Sequence, residues 1–322
     1  MDKISIITPT YNQASYIENT ILSVLNQDYP NIEYIIIDGG STDGTVDIIK
    51  KYEDRLAYWV SEKDSGQSEA INKGLQKATG DIINWINSDD WIEEGAIPKI
   101  MAFFKNNPSV DIIFGNCNIV YPGIKNTLYE AVAFDPIDFI SRISIHQPST
   151  FWRRKIMQNL GPVDGSLHNC MDYELWAKMV FNHKSQKLNE TLANFRRYPE
   201  SKTSNFNDQS KVFADYRTVA CRVLYSLNPI YVEQLNQLGL NYNKTTVCYD
   251  LSGNTLTAAQ KEAMLFRYIL TCAQQEYILK NKTKANQLFK YCFSSPFKKD
   301  ALVGWVKNYI GFRHFFEPYR KF

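Results

Sequence analysis

Two adjacent acids, Asp89 and Asp90, follow the apolar run Ile82–Ile86 after Asn87 and Ser88. Carboxylates so close together at the end of a buried segment repel one another without a cation. Oxygen ligands of this kind suit Mg²⁺ or Mn²⁺, which also hold a diphosphate. The same pair could instead cap a helix near Glu93. Asp38 ends a second apolar run, IEYIII, and is followed by Gly39 and Gly40. A carboxylate there can accept the N–H of a base such as uracil or thymine, and glycine lets the backbone approach a flat ligand. Asp-Gly-Gly is equally good turn chemistry. A third acidic point is MDYELW, with Asp172 and Glu174. On a helix these two point about 200° apart, so they do not both face one substrate. Either is also at home as a solvated acid at a helix start.

The elements that must position these acids are legible as a pattern. Ile4–Thr8 is an apolar strand stopped by Pro9, and a helix pattern covers about Ser15 to Asn26. Ile32–Ile37 is a β-branched strand; Ser41 or Thr42 can cap the helix after it, which carries Val46, Ile48 and Ile49. Strands at Leu56–Val60, Ile82–Ile86 and Asp111–Asn118 alternate with helices at Glu69–Ala78 and Glu93–Lys105. Near-continuous apolar strands between helices predict a mostly parallel sheet covered on both faces. Ligands of such sheets bind beyond the carboxyl ends of the strands. Here those ends read Thr8-Pro9-Thr10-Tyr11, Asp38-Gly39-Gly40 and Asn87-Ser88-Asp89-Asp90.

Composition sets bounds on the partners. The 322 residues suffice for one large α/β domain and an appendage. Lys plus Arg number 36 against 34 acids, so no nucleic acid is expected. Six widely spaced cysteines without a CxxC pair read as reduced thiols of a cytoplasmic protein. The opening MDKISIITPT lacks the pattern of a signal peptide, and no apolar run reaches the roughly 18 residues of a membrane span. Beyond about residue 205 the pattern turns helical. Residues 278–322 are basic, with Leu302, Trp305, Val306, Tyr309, Phe312 and Phe316 at helical spacing. Such a tail can lie on an anionic membrane or pack as an ordinary helix.

Taken together, ITPTYNQASYIENTILSVLNQDYPNIEYIIIDGGSTDGT and SGQSEAINKGLQKATGDIINWINSDDW resemble the family 2 glycosyltransferases of GT-A fold. The resemblance is close from Ile4 to about Trp91 and resumes at HQPSTFWRR and GPVDGSLHNCMDYELWAKM. By pattern it is similar to bacterial enzymes of surface polysaccharide synthesis. It implies an α/β, Rossmann-like, mostly parallel sheet with helices on both faces, spanning 1–204. A donor and metal half would cover about 1–118 and an acceptor half about 119–204, with a helical C-terminal region at 205–322.

The resemblance also implies roles. Thr8, Pro9 and Tyr11 would line the nucleoside pocket, and Asp38, beside Gly39, would hold the base. Gly66 and Asn72 would pack beside the donor, with Asn87 and Ser88 on the same side. Asp89, with Asp90 beside it, would bind Mg²⁺ or Mn²⁺. Asp172 would be the catalytic base, with Glu174 as its competitor. His146 and Gln147 would lie near acceptor or diphosphate, and Arg196, Arg197 and Lys202 in a basic loop able to close on the diphosphate. The implied reaction is inverting transfer from a nucleoside-diphosphate sugar, UDP- or dTDP-type, to a glycan or lipid-linked acceptor, with possible peripheral membrane contact through the C-terminal region.

Three positions depart from the family pattern. Asn87 replaces the first acid of Asp-x-Asp, Gly39 replaces the second acid after strand two, and Ile71 replaces the Arg of Ala-Arg-Asn. Two other functions fit an acidic α/β edge. A sugar-nucleotide nucleotidyltransferase would want a Gly-rich basic loop after strand one, which TPTYNQAS lacks. A non-catalytic sugar-binding or assembly protein would have no need of both Asp89 and Asp172.

Overall fold

The computed structural model describes residues 2–142, 145–202, 209–240, 247–253 and 256–294. It divides into two compact units. The described residues of the first lie within 2–133, 145–175 and 183–201; those of the second are 134–142, 176–182 and the residues from 202 onward.

The first unit is built on one sheet. Its strands are β1 (Ile4–Thr10), β2 (Ile32–Asp38), β3 (Tyr58–Ser61), β4 (Ile82–Trp85), β5 (Trp91–Ile92), β6 (Ile112–Val120), β7 (Thr127–Tyr129), β8 (Thr150–Arg153) and β9 (Ser185–Arg196). They lie in the order β3-β2-β1-β4-β8-β6-β9-β5, with β7 on β6. β3, β2, β1 and β4 run parallel, and β6 and β9 are also parallel; β8, β7 and β5 are the antiparallel members. Proline does not stop β1, contrary to expectation. Pro9 aligns with Ile37 and the strand continues until Thr10 meets Asp38. A parallel strand tolerates a residue without an N–H where that bond is not required.

The period-two pattern of β1 explains how both faces are covered. Ile4 and Ile6 face a core with α1 (Ile17–Leu25), α2 (Thr45–Lys50) and α4 (Ala96–Asn106), where Ile17, Ile21, Val24, Ile49, Ile97, Ile100 and Phe104 are buried. Ile7 points the other way, to α3 (Gln67–Lys77). That helix comes close because Gly74 faces Ile7: a Cβ at 74 would overlap Ile7 Cγ2. Gly74→Val is therefore expected to destabilise the domain by about 1–3 kcal/mol through overpacking, read as a thermal midpoint several degrees lower. An unchanged midpoint would show that α3 can ride outward freely. The cap of α2 also differs from expectation. Neither Ser41 nor Thr42 caps it; Asp43 Oδ1 accepts from Thr45 N–H at 3.1 Å, and the helix starts two residues later.

The helix α5 (Met171–Met179) is divided between the units. The second unit is otherwise helical, with α6 (Gln209–Leu227), α7 (Ile230–Gln237), α8 (Ala258–Ile278) and α9 (Lys282–Ser294). A capping box at Thr257 and Gln260 starts α8, and Phe139 and Phe181 meet edge-on at 5.6 Å. Among the described residues no helix is long and apolar enough to cross a membrane. The basic aromatic segment with Trp305, Tyr309 and Phe316 lies outside the described residues.

Candidate active site

The carboxyl ends of β2, β1 and β4 lie side by side, and the strand order changes direction between β1 and β4. This is where a doubly wound sheet opens a crevice. The loop after β4 carries Asn87, Ser88, Asp89 and Asp90 into it. The loop is held from beneath by a polar stripe on and just beyond α1. Thr20 Oγ1 donates to the carbonyls of Ser88 (2.9 Å) and Asp90 (2.6 Å), Ser23 Oγ accepts from Ile92 N–H, and Gln27 Nε2 donates to Glu93 O.

Asp89 and Asp90 have separate tasks. Asp90 is 0 % exposed; Arg196 N–H donates to its Oδ1 at 3.0 Å and Asn87 Nδ2 to its Oδ2 at 3.3 Å. It ties the loop to the end of β9, with both carboxylate oxygens engaged inside the protein. Burial, then the neighbouring charge of Asp89, pushes its carboxyl well above the ordinary range. Asp89 is half-buried and accepts at Oδ2 from the Tyr198 hydroxyl at 3.1 Å. Burial also raises its pKa, against the opposing pull of Tyr198 and Arg196. An anion held at such a cost fits a cation at this position. Among the described residues no three His, Cys, Asp or Glu side chains form a ready-made metal cage. The donor set is one carboxylate, which suits a hard ion whose remaining ligands are diphosphate oxygens and water.

Asn87 is not a spare ligand. Gln147 Nε2 donates to the carbonyl of Trp85, which can only accept. That fixes Gln147 Oε1 as the acceptor of Asn87 Nδ2 at 3.2 Å, and leaves Asn87 Oδ1 to accept from Gln67 Nε2 at 2.8 Å. Both ends of the Asn87 amide are engaged, and Gln147 is buried with both ends of its own amide bonded to Trp85 O and Asn87. Asn87→Asp would set a carboxylate oxygen against two acceptors. A loss of about 1–3 kcal/mol is expected, measured by thermal melting. Unchanged stability with tighter Mn²⁺ binding would instead show that the loop can re-form as a two-acid site.

The remaining expected residues divide in the same way. Thr8 is buried with its hydroxyl 3.0 Å from Tyr34 Oη, so its side chain serves the core, not a nucleoside pocket. Pro9 is buried in β1, while Tyr11 is 60 % exposed just beyond the strand end. Asp38 is 0 % exposed; its Oδ2 accepts from Gly40 N–H, Ser41 N–H and Ser61 Oγ, and its Oδ1 from Ser41 Oγ. It shapes the loop, with most of its accepting capacity engaged by that loop and Ser61. Gly39 sits against the Asp64 carboxylate, which a Cβ there would displace. Gly66, at φ +128°, makes the turn into α3 in a conformation that favours glycine.

Asn72 does not face outward beside a donor. Its amide donates to Val163 O at 3.0 Å and accepts from Val163 N–H at 2.8 Å. Asp172 is half-buried in the first turn of α5, whereas Glu174 is 1 % exposed. Of the two acids, Asp172 is the one with access to solvent. His146 meets the Tyr129 ring edge-on at 3.9 Å, and burial, with Arg197 adding, lowers its imidazole to about 3, so it is neutral at pH 7. Arg197 is buried and follows directly on β9. Lys202 is exposed and belongs to the second unit.

Three aromatic side chains, Tyr16, Trp91 and Tyr198, escaped the sequence reading as site components, and they gather around Arg196. Arg196 lies over the rings of Trp91 (4.7 Å) and Tyr16 (5.1 Å) and donates from Nε to Asp89 O at 3.0 Å. Tyr16 stacks on Tyr198 at 4.6 Å. This stack forms a wall beside Asp89, and its parts come from chain segments roughly 180 residues apart.

The α/β unit thus carries an acidic loop at the switch point of its parallel edge and, on a later helix, an acid with access to solvent. Residues 5–160 match the model for Glycosyl transferase family 2, so about the N-terminal half of this chain is a family 2 glycosyltransferase domain of GT-A fold. The chain is 42% identical over 103 residues to the putative teichuronic acid biosynthesis glycosyltransferase TuaG of Bacillus subtilis, covering 31% of this chain and 41% of that protein. It is 33% identical over 127 residues to the GalNAc(5)-diNAcBac-PP-undecaprenol beta-1,3-glucosyltransferase of Campylobacter jejuni, covering 38% of this chain and 40% of that one. The matched segments thus span well under half the length of these curated relatives. The S. aureus TarS 1–349 structure in complex with UDP-GlcNAc superimposes with a TM-score of 0.63 at 19% identity, over 99% of this chain and 92% of that chain; at that identity the likeness is one of fold.

Proposed function

We propose that the chain is an inverting, metal-dependent glycosyltransferase of bacterial surface polysaccharide synthesis. It would move a sugar from a UDP- or dTDP-type donor to a hydroxyl of a glycan or lipid-linked acceptor. The donor half is about 1–118 and the acceptor half about 119–204. The observation that carries this reading is the separation of duties among the acids. Asp89 alone of its pair is left to meet a ligand at the carboxyl edge of β1 and β4, and Asp172 alone of its pair keeps solvent access.

In the reaction the acceptor oxygen forms a bond to the anomeric carbon as the bond from that carbon to the diphosphate oxygen breaks. Asp172 takes the hydroxyl proton, since a neutral sugar hydroxyl is a poor nucleophile. Attack and departure on opposite faces of the sugar invert the anomeric centre. Asp89 would hold the Mg²⁺ or Mn²⁺, which when bound offsets charge on the departing diphosphate. Arg196, held over Tyr16 and Trp91, would steady the Asp89 backbone through its bond to the Asp89 carbonyl.

The test is release of nucleoside diphosphate from a panel of sugar nucleotides. Release is expected to need Mn²⁺ or Mg²⁺, to be slow alone and to accelerate with an acceptor glycan. Consumption of nucleoside triphosphate with release of pyrophosphate would point to a nucleotidyltransferase instead. The absence of either reaction would point to a binding protein.

A further inference from the structure

Asn72, on α3, reaches the segment that leads into α5. Its amide clasps both backbone groups of Val163, with hydrogen bonds of 2.8 and 3.0 Å. Ser68, one turn earlier on the same helix face, donates to Met171 Sδ at 3.3 Å, and its Cβ lies 3.9 Å from where a side chain on Gly165 would begin. At the start of the same helix Gln67 donates to Asn87 in the acidic loop. One helix thus touches the segment 163–171 at three points and the loop of Asp89 at a fourth, and Asp172 is the next residue after that segment.

We infer that Asn72 is a positioning residue for the catalytic base: through its clasp on Val163, α3 sets the segment that delivers Asp172 in register with the acidic loop after β4. The inference rests on the reading of Asp172 as base. A backbone clasp suits this task because both bonds are to main-chain groups. They fix the position and direction of the chain at 163 whatever the neighbouring side chains do.

The experiment compares Asn72→Ala and Asn72→Asp with wild type and Asp172→Asn in the full chain, with Mn²⁺, the sugar nucleotide turned over in the release assay and its acceptor. Donor affinity, kcat for transfer, metal-dependent donor hydrolysis without acceptor, and amide exchange of peptides covering 160–171 are measured. Asn72→Asp keeps an acceptor for Val163 N–H and loses the donor to Val163 O, so it serves if the Ala variant does not fold. The expected result is a kcat for transfer about 10- to 100-fold lower in Asn72→Ala, smaller in Asn72→Asp. Exchange across 160–171 should be faster, with donor affinity and acceptor-free hydrolysis unchanged. Weakened donor affinity would make Asn72 a donor contact and overturn the inference. Unchanged transfer in folded Asn72→Asp with faster exchange would make the clasp merely structural and also overturn it. If Asp172→Asn keeps full transfer, the reading of the base has failed, which the Asn72 variants alone would not show.

Discussion

Asp172→Asn is expected to lower transfer by about 10²–10⁴-fold while donor affinity and thermal stability stay close to wild type. The side chain is half-buried in the first turn of α5, and its Oδ1 accepts from Tyr173 N–H at 2.8 Å, a bond that the Asn oxygen can keep. What the amide cannot do is take the proton of an acceptor hydroxyl. The loss should therefore fall on kcat with acceptor present and spare the slow, metal-dependent hydrolysis of donor. Glu174→Gln is the internal control for assignment. That carboxyl is buried within α5, so its replacement should act on stability more than on transfer. The reverse outcome would exchange the two roles.

Asp89→Asn should remove metal-dependent donor binding and cost about 10²–10³-fold in transfer. The reason lies in the environment as much as in the ligand. Burial holds the carboxylate above its ordinary pKa, and Tyr198 supplies only one neutral hydrogen bond in return. A divalent cation is the larger compensation, so the metal should also stabilise the folded chain. Calorimetry with Mn²⁺ and a nucleoside diphosphate reads both effects at once. An increase in melting temperature that persists in Asp89→Asn would place the ion elsewhere. Asp90 provides the contrast: its replacement should weaken the union of the acidic loop with β9 and lower stability, because the Arg196 N–H and the Asn87 amide lose a buried acceptor.

The sequence pattern located the sheet and the edge that matters, because parallel strands buried on both faces leave continuous apolar runs with polar stops. Ile32–Asp38 and Ile82–Trp85 are such runs, and their stops bring Asp38 and the acidic loop to one side. What it could not give was the direction each polar side chain takes once there. Thr8 and Asn72 look like pocket residues, yet one meets Tyr34 and the other Val163, 91 residues away. Asp89 and Asp90 are indistinguishable by spacing, and only the pairing of β5 with β9, which brings Arg196 and Tyr198 alongside, separates them. Arg196 was read as part of a loop because β9 carries the exposed Asn189 and Glu190 midway, which break its apolar pattern. In the fold that strand continues through Arg196 because β6 runs parallel beside it to Val120. The polar stripe of Thr20, Ser23 and Gln27 was visible at helical spacing, and its meaning was the support of the acidic loop.

The central claim is that a cation on Asp89 and a base at Asp172 address the same sugar. Anomalous scattering from Mn²⁺ tests it most directly, in crystals grown with a non-transferable donor analogue and an acceptor. The account expects one manganese peak within about 2.0–2.6 Å of an Asp89 carboxylate oxygen. It also expects an acceptor hydroxyl about 2.6–3.2 Å from Asp172, on the face of the sugar opposite the diphosphate. Manganese bound away from Asp89, or Asp172 turned to a surface that the acceptor does not reach, would contradict it.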